Sequence, residues 1–194
     1  MKIYAISLVQ VDSKPVHELA SEYELSSFGF FQRGSVQEFM SFFAKTISER
    51  TSPGQRQSVE QENYIGHVYT KAEGVAGVII VDREYPRRVA FSLLSKILDE
   101  FVSKYTKNDW SQLKSLPELK EYLTKYQDPK QADTIMRVQQ DLDETKVVLH
   151  KTIESVLQRG EKIDSLVERS DELSTQSKMF YKTARKTNSC CSVM

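Results

Sequence analysis

From Ile135 to Thr187 the chain holds a single heptad frame: Ile135, Val138, Leu142, Thr145, Leu149, Thr152, Val156, Arg159, Ile163, Leu166, Ser170, Leu173, Ser177, Phe180, Ala184, Thr187. Alternating steps of three and four put these slots on one stripe of a helix, which asks for partner helices along its whole length. Arg159 sits mid-seam between Val156 and Ile163. A guanidinium carries five donors, no acceptor and a permanent charge, so burial there requires acceptors at the same height. A parallel homomeric coil would stack arginine on arginine. The seam therefore predicts different helices that offer carbonyl or carboxylate oxygens, with the charge fixing the register. The alternative is an arginine that snorkels outward from a self-packed helix. Val147, Val148, Ile153, Leu157 and Val167 lie off the seam and widen the apolar stripe. Such a width suits a multi-helix bundle, or a helix that at times packs on its own globular domain. Gly160 costs about 1 kcal/mol of helix propensity, so the helix need not be rigid before partners arrive.

The sequence closes on Cys190-Cys191-Ser192-Val193-Met194. Cys-Ser-Val-Met matches the C-a-a-X box, and its methionine points to a farnesyl group on Cys191. Cys190 is then a candidate for reversible palmitoylation. One lipid gives marginal membrane affinity and two give a stable anchor. Lys178, Lys182, Arg185 and Lys186 precede the tail with no acid after Glu172, which favours anionic leaflets. Two adjacent cysteines fit neither a zinc site nor a structural disulfide. No metal and no cofactor beyond these covalent lipids is expected. Lysine plus arginine equals aspartate plus glutamate at 27 each, so bulk charge gives no reason to expect nucleic acid. No apolar run reaches the length of a membrane span, and the N-terminus lacks a secretory cleavage pattern. A cytosolic chain attached to membranes through its tail is the expectation.

Residues 1–126 read as one compact α+β domain. Strands are predicted at Ile3 to Val11, Val16 to Leu25, Gln57 to Gln61, Tyr64 to Thr70 and Val75 to Asp82. Ser35 with Glu38 has the spacing of a capping box that opens a helix through Glu49, and Ser115 with Glu118 has the same spacing before a short helix bearing Leu119 and Tyr122. After Pro86 a long helix buries Ala90, Leu93, Leu94, Ile97, Leu98 and Phe101. In the first helix Val36, Met40, Phe43 and Ile47 share the core face, whereas Phe42 lies off that stripe and Phe39 at its edge. With Phe28, Phe30 and Phe31 just upstream, these residues fit an exposed apolar patch and a crowded aromatic core equally well. Residues 127–134 form the linker, 135–187 the heptad segment and 188–194 the tail.

The arginine-centred run VLQRGEKIDSLVERS, preceded by QQDLDETKVVLHKTIESV, resembles an R-SNARE motif of the synaptobrevin type. SSFGFFQRGSVQEFM, ENYIGHVYT and VDREYPRRVAF are similar to a longin domain. Together with the Cys-Cys-a-a-X end, the whole chain resembles the lipid-anchored, longin-type R-SNAREs. That resemblance implies a profilin-like, five-stranded antiparallel sheet flanked by helices and followed by a long SNARE coiled-coil helix. It implies a parallel four-helix bundle with Qa-, Qb- and Qc-SNARE helices, Arg159 meeting three glutamines in the central ionic layer and the other slots forming core layers. It also implies farnesylation and carboxyl methylation of Cys191, general SNARE assembly and disassembly factors as partners, and cycling between cytosol and the membranes of ER–Golgi vesicles, Golgi, endosome, vacuole or lysosome, and autophagosome. Ser170 and Ser177 are small polar layers that weaken the membrane-proximal half of the seam.

Fusion by bundle assembly involves no covalent chemistry, so an enzyme is not expected. A prenylated nucleotide switch lacks its G-x-x-x-x-G-K-[ST] loop. An acyltransferase or other lipid-modified regulator assisting fusion has no visible site, since His17, His67 and His150 lie in different elements and each reads as a surface or sheet residue. A soluble lone chain would expose both seam and lipid to water. We therefore expect a closed state in which the longin domain, through a patch at Phe39 and Phe42, holds the heptad segment and shelters the prenyl group. Ser174, Ser177 and Thr187 are candidate phosphorylation sites that would oppose such closure.

Overall fold

The computed structural model describes residues 1–113, 115–128 and 147–190, the last five of these by backbone only. Five strands, β1 (Ile3–Gln10), β2 (His17–Tyr23), β3 (Arg56–Gln61), β4 (Tyr64–Thr70) and β5 (Val75–Asp82), pair antiparallel in the order β2-β1-β5-β4-β3. Helix α1 (Arg33–Glu49) covers one face, and α2 (Arg87–Lys104) with α4 (Pro117–Lys125) the other. A short α3 (Lys107–Trp110) lies between α2 and α4. Both faces of the central strand are therefore dry. In β5, Val75, Ile79 and Val81 enter the core under α2, while Ala76, Val78 and Ile80 enter the core under α1. A strand covered on both sides has no need of polar alternation, which is why it reads as a continuous apolar run.

Gly66 lets α1 approach β4. A Cβ there would stand 2.4 Å from Phe43 Cε1 and 3.0 Å from Ile47 Cδ1, closer than packed side chains allow.

The expected capping boxes do not form. Helix α1 starts at Arg33 after Gln32, so Ser35 is buried inside its first turn and Glu38 is free for another use. Pro117 opens α4 after Leu116, and Glu118 pairs with Lys104 instead of a cap. Proline at the first helical position supplies the start without a side-chain cap.

The larger departure concerns the heptad segment. Its described part is not one long helix but a strand β6 (Val147–His150), a 3-10 turn (Ile153–Val156), α5 (Ile163–Arg169) and α6 (Thr175–Cys190). β6 extends the sheet to six strands and runs parallel to β3, with Arg56 opposite Val147 and Val59 opposite His150. The physical reason is the lack of a partner helix. A lone apolar stripe gains more by burying against its own domain, and the free edge of β3 offers backbone partners to the β-favouring Val147 and Val148. The slots Ile135, Val138, Leu142 and Thr145 lie outside the described residues, as does Cys191.

Candidate functional site

Phe42 lies off the core stripe of α1 and Phe39 at its edge, and the returning chain packs with them. The Phe39 ring stacks on Tyr181 of α6, with centroids 5.2 Å apart and planes 19° from parallel. Phe42 is 9% exposed and shares one apolar cluster with Ile153, Ile163, Val167, Leu173 and Tyr181. Of the two readings of this aromatic group, each captures part. Phe42 is buried in a cluster to which the heptad segment contributes, while Phe30 and Phe31 remain in water at 77% and 88% exposure.

Polar clasps surround that cluster. One Glu38 carboxylate oxygen accepts the Ser174 backbone N–H at 2.8 Å and the Ser177 hydroxyl at 2.7 Å. Ser174 Oγ in turn accepts the Ser177 N–H at 3.2 Å, so Ser174 caps α6 and a carboxylate from α1 completes the cap. Burial opposes the charge on Glu38, but the hydrogen bonds from Ser177, the Ser174 N–H and the Ser174 hydroxyl outweigh it and hold the carboxyl below its usual range. Lys45 pairs with Glu172 at 2.9 Å, and Arg50 pairs with Glu161 at 3.1 Å. Between α5 and α6, Tyr181 donates to Asp164 at 2.9 Å and Arg185 contacts both groups. Burial, aided by the Asp164 carboxylate, pushes the Tyr181 phenol well up.

The sign of a pH effect follows from Glu38. A carboxyl whose value is lower in the packed form than when released favours packing while ionised. That contribution is fully present above the ordinary carboxylate value, about 4.3, and is lost as pH falls from there through the lower value of the packed form. Small-angle scattering is expected to show expansion as pH is lowered below about 4.3, and Glu38→Gln should flatten the part of this response that Glu38 carries.

Arg159 is exposed in this arrangement, at a tight turn. The Glu161 carboxylate accepts the Gln158 N–H at 3.0 Å while it pairs with Arg50, and Gly160 adopts φ +91°. Nothing lies within 4 Å of a Cβ built at Gly160, so a side chain there would meet only backbone strain. Such strain costs an L-residue about 1–2 kcal/mol, while alanine would favour a continuous helix by about 1 kcal/mol. Gly160→Ala is thus expected to shift the balance toward the helical form by about 30- to 150-fold, read as faster hydrogen exchange of α6 amides in the isolated chain.

The seam slots divide by position. Leu149 is 61% exposed, and Thr152 and Arg159 face water. Ile163, Leu173 and Ser177 are buried, with Val156, Leu166, Ser170, Phe180 and Ala184 half-buried. Thr187 and Cys190 fall in the last turns of α6, placed by backbone alone. Beneath Phe180 and Ala184 an apolar cavity of about 190 Å³ is lined by Phe28, Val36, Phe39 and Met40. The clasps at Glu38, Lys45, Arg50 and Tyr181 carry no local sequence signal; self-packing was signalled by the Phe39 and Phe42 patch and by the off-seam apolar residues, of which Ile153 and Val167 are the most deeply buried.

His67 is buried on β4 with Nδ1 2.8 Å from Ser58 Oγ and its ring against Phe91, and burial pushes it down to about 3, so it is neutral. His17 lies on β2 and His150 on β6. Among the described residues, no helix is long and apolar enough to cross a membrane.

Residues 25–127 match a family model described as Longin, a regulated-SNARE-like domain, and residues 134–192 match Synaptobrevin. Over 194 residues the chain is 63% identical to the synaptobrevin homolog ykt6 of Schizosaccharomyces pombe, covering 98% of each. It is 54% identical to the synaptobrevin homolog YKT6 of Saccharomyces cerevisiae over 200 residues, covering all of both. The chain belongs to the longin-type synaptobrevin family. As a longin-type synaptobrevin it is an R-SNARE of vesicle traffic, a chain that works by joining other SNARE helices. The fold described above is a longin domain with the synaptobrevin segment wrapped onto it.

Proposed function

We propose that this R-SNARE is held inactive by its own longin domain and fuses membranes once released, by zipping with one helix each from Qa-, Qb- and Qc-SNAREs. The observation that carries this reading is the burial of Ile163, Leu173 and Ser177 against the longin domain, because slots hidden there are closed to a bundle. Arg159 serves as the central ionic layer and meets three glutamines. The chain acts without covalent chemistry of its own. Cys191 carries a farnesyl group and methyl ester and Cys190 a palmitoyl group, with the cavity under Phe180 and Ala184 sheltering the prenyl chain in the cytosolic form. Assembly and disassembly factors common to SNAREs recycle it among ER–Golgi, Golgi, endosomal, vacuolar or lysosomal, and autophagosomal membranes.

Phosphate at Ser174 or Ser177 opens the molecule. A phosphate near a helix N-terminus is ordinarily favourable, but here the Glu38 carboxylate already holds that place, 2.7 Å from Ser177 Oγ. Two anions there repel, and Ser177 is 1% exposed, so it is modified only in the released form. Thr187 is the third candidate.

Intact mass of the protein from cells, taken with proteomics of detergent pull-downs, tests the reading. Farnesyl, methyl and palmitoyl additions together with three distinct Q-SNAREs are expected. A tail without lipid, or a pull-down without SNAREs, sinks it.

A further inference from the structure

The loop between β2 and α1 holds one aromatic ring in and two out. Phe28 is half-buried, its ring edge-on to Tyr4 at 5.9 Å, and it lines the cavity beneath Phe180 and Ala184. Phe30 and Phe31 stand almost wholly in water on a single 3-10 turn, packed edge to face on each other with centroids 5.5 Å apart. This exposure belongs to a built loop. Arg33 donates to the Phe28 carbonyl at 3.2 Å and the Ser26 carbonyl at 3.4 Å, and backbone bonds run from Phe28 to Leu25 and from Gln32 to Gly29. Adjacent phenyl rings fixed in water mark a contact surface for something apolar.

We infer that Phe30 and Phe31 are a wedge that enters the interfacial layer of a lipid bilayer. A bilayer is the occupant because, on the lipid-anchor reading above, it is already at hand. Phe28 shares its cavity with α6, and Cys190 follows Ala184 by six residues, about 9 Å along a helix axis. A tail fixed in lipid therefore brings this loop within reach of the same surface. Charge agrees. No aspartate or glutamate occurs from Leu25 to Gln37, and Arg33 is the sole ionic side chain in that stretch, while the nearest acid before it, Glu24, is taken up by hydrogen bonds from Ser26. Phenylalanine with a nearby cation is a composition that settles at the headgroup–acyl boundary. The wedge adds affinity to the lipid anchor and fixes which side of the longin domain faces the membrane.

The test separates wedge from anchor. The full chain with Cys190→Ser and Cys191→Ser and a C-terminal hexahistidine is tethered to phosphatidylcholine vesicles containing a nickel-chelating lipid. In a Phe31→Trp version, read against the same chain without that change, tethering is expected to blue-shift the added fluorescence and make it quenchable by brominated lipid. In the farnesylated chain, Phe30→Ser with Phe31→Ser should weaken vesicle partitioning about tenfold with the lipid mass unchanged. Because both rings are exposed, the variants are expected to melt like the parent. Water-like fluorescence on tethered vesicles overturns the wedge even if Cys191 is lipidated. Insertion of the tethered chain, with no lipid found on Cys191 in cells, keeps the wedge and removes the anchor. Fluorescence that changes only when Q-SNARE helices are added assigns the rings to a protein partner and overturns the bilayer.

Discussion

Phe42→Glu is expected to open the molecule without unfolding its longin domain. Position 42 lies about 120° from Val36 of the α1 core stripe at 100° per residue, and it shares its apolar cluster with Ile153, Ile163, Val167 and Leu173 of the returning segment. Losing a buried phenyl costs about 3–5 kcal/mol, and an unpaired carboxylate in that cluster costs several more. Both penalties vanish once the segment lifts off and water reaches α1. The cost therefore falls on closure, and the closed-to-open ratio should drop at least about a hundredfold. Hydrogen exchange of α5 and α6 amides should rise to unprotected rates while those of β1 and β5 stay slow. Persistent protection of α6 would mean that Phe42 does not hold the segment.

Arg159→Asp is expected to do the reverse: leave the closed form alone and disable assembly. The side chain is exposed here, and surface changes of that kind stay within about 0.5 kcal/mol. In a bundle the substitution would replace five donors by an unpaired carboxylate facing glutamine side chains. A stranded buried charge costs about 3–5 kcal/mol, or at least roughly a hundredfold in assembly. Thermal melts of the reconstituted four-helix complex should fall sharply, and arginine in place of one partner glutamine should restore part of the loss. Equal loss of closed-form stability would show that Arg159 has a role on the longin domain.

The domain's strands and long helices were legible because their patterns are local. Val75 to Val81 is a continuous apolar run, and Ala90 to Phe101 has a 3.6 period, so no distant residue was needed to read them. The wrapped state was less legible, since the segment satisfies two periodicities at once. Ile163 and Leu173 belong to the heptad and also to the longin cluster, whereas Ile153 and Val167 belong to the cluster alone. A heptad count sees only the first pattern. Glu38 was misread for a related reason: its spacing from Ser35 fits a local cap, but its partners, Ser174 and Ser177, lie 136 and 139 residues away. Arg50 with Glu161 is likewise a pairing that one-dimensional spacing cannot reveal.

The parallel pairing of β6 with β3 bears on how long the released molecule can wait. Lifting β6 away strips β3 of its outer neighbour and leaves a row of bare amides and carbonyls, within Arg56 to Val59, on the rim of the sheet. Such a rim adheres to any extended peptide, another copy included. Liberated molecules must find their helices or refold on themselves before they find each other, so crowding on a small vesicle sets a clock on the active form.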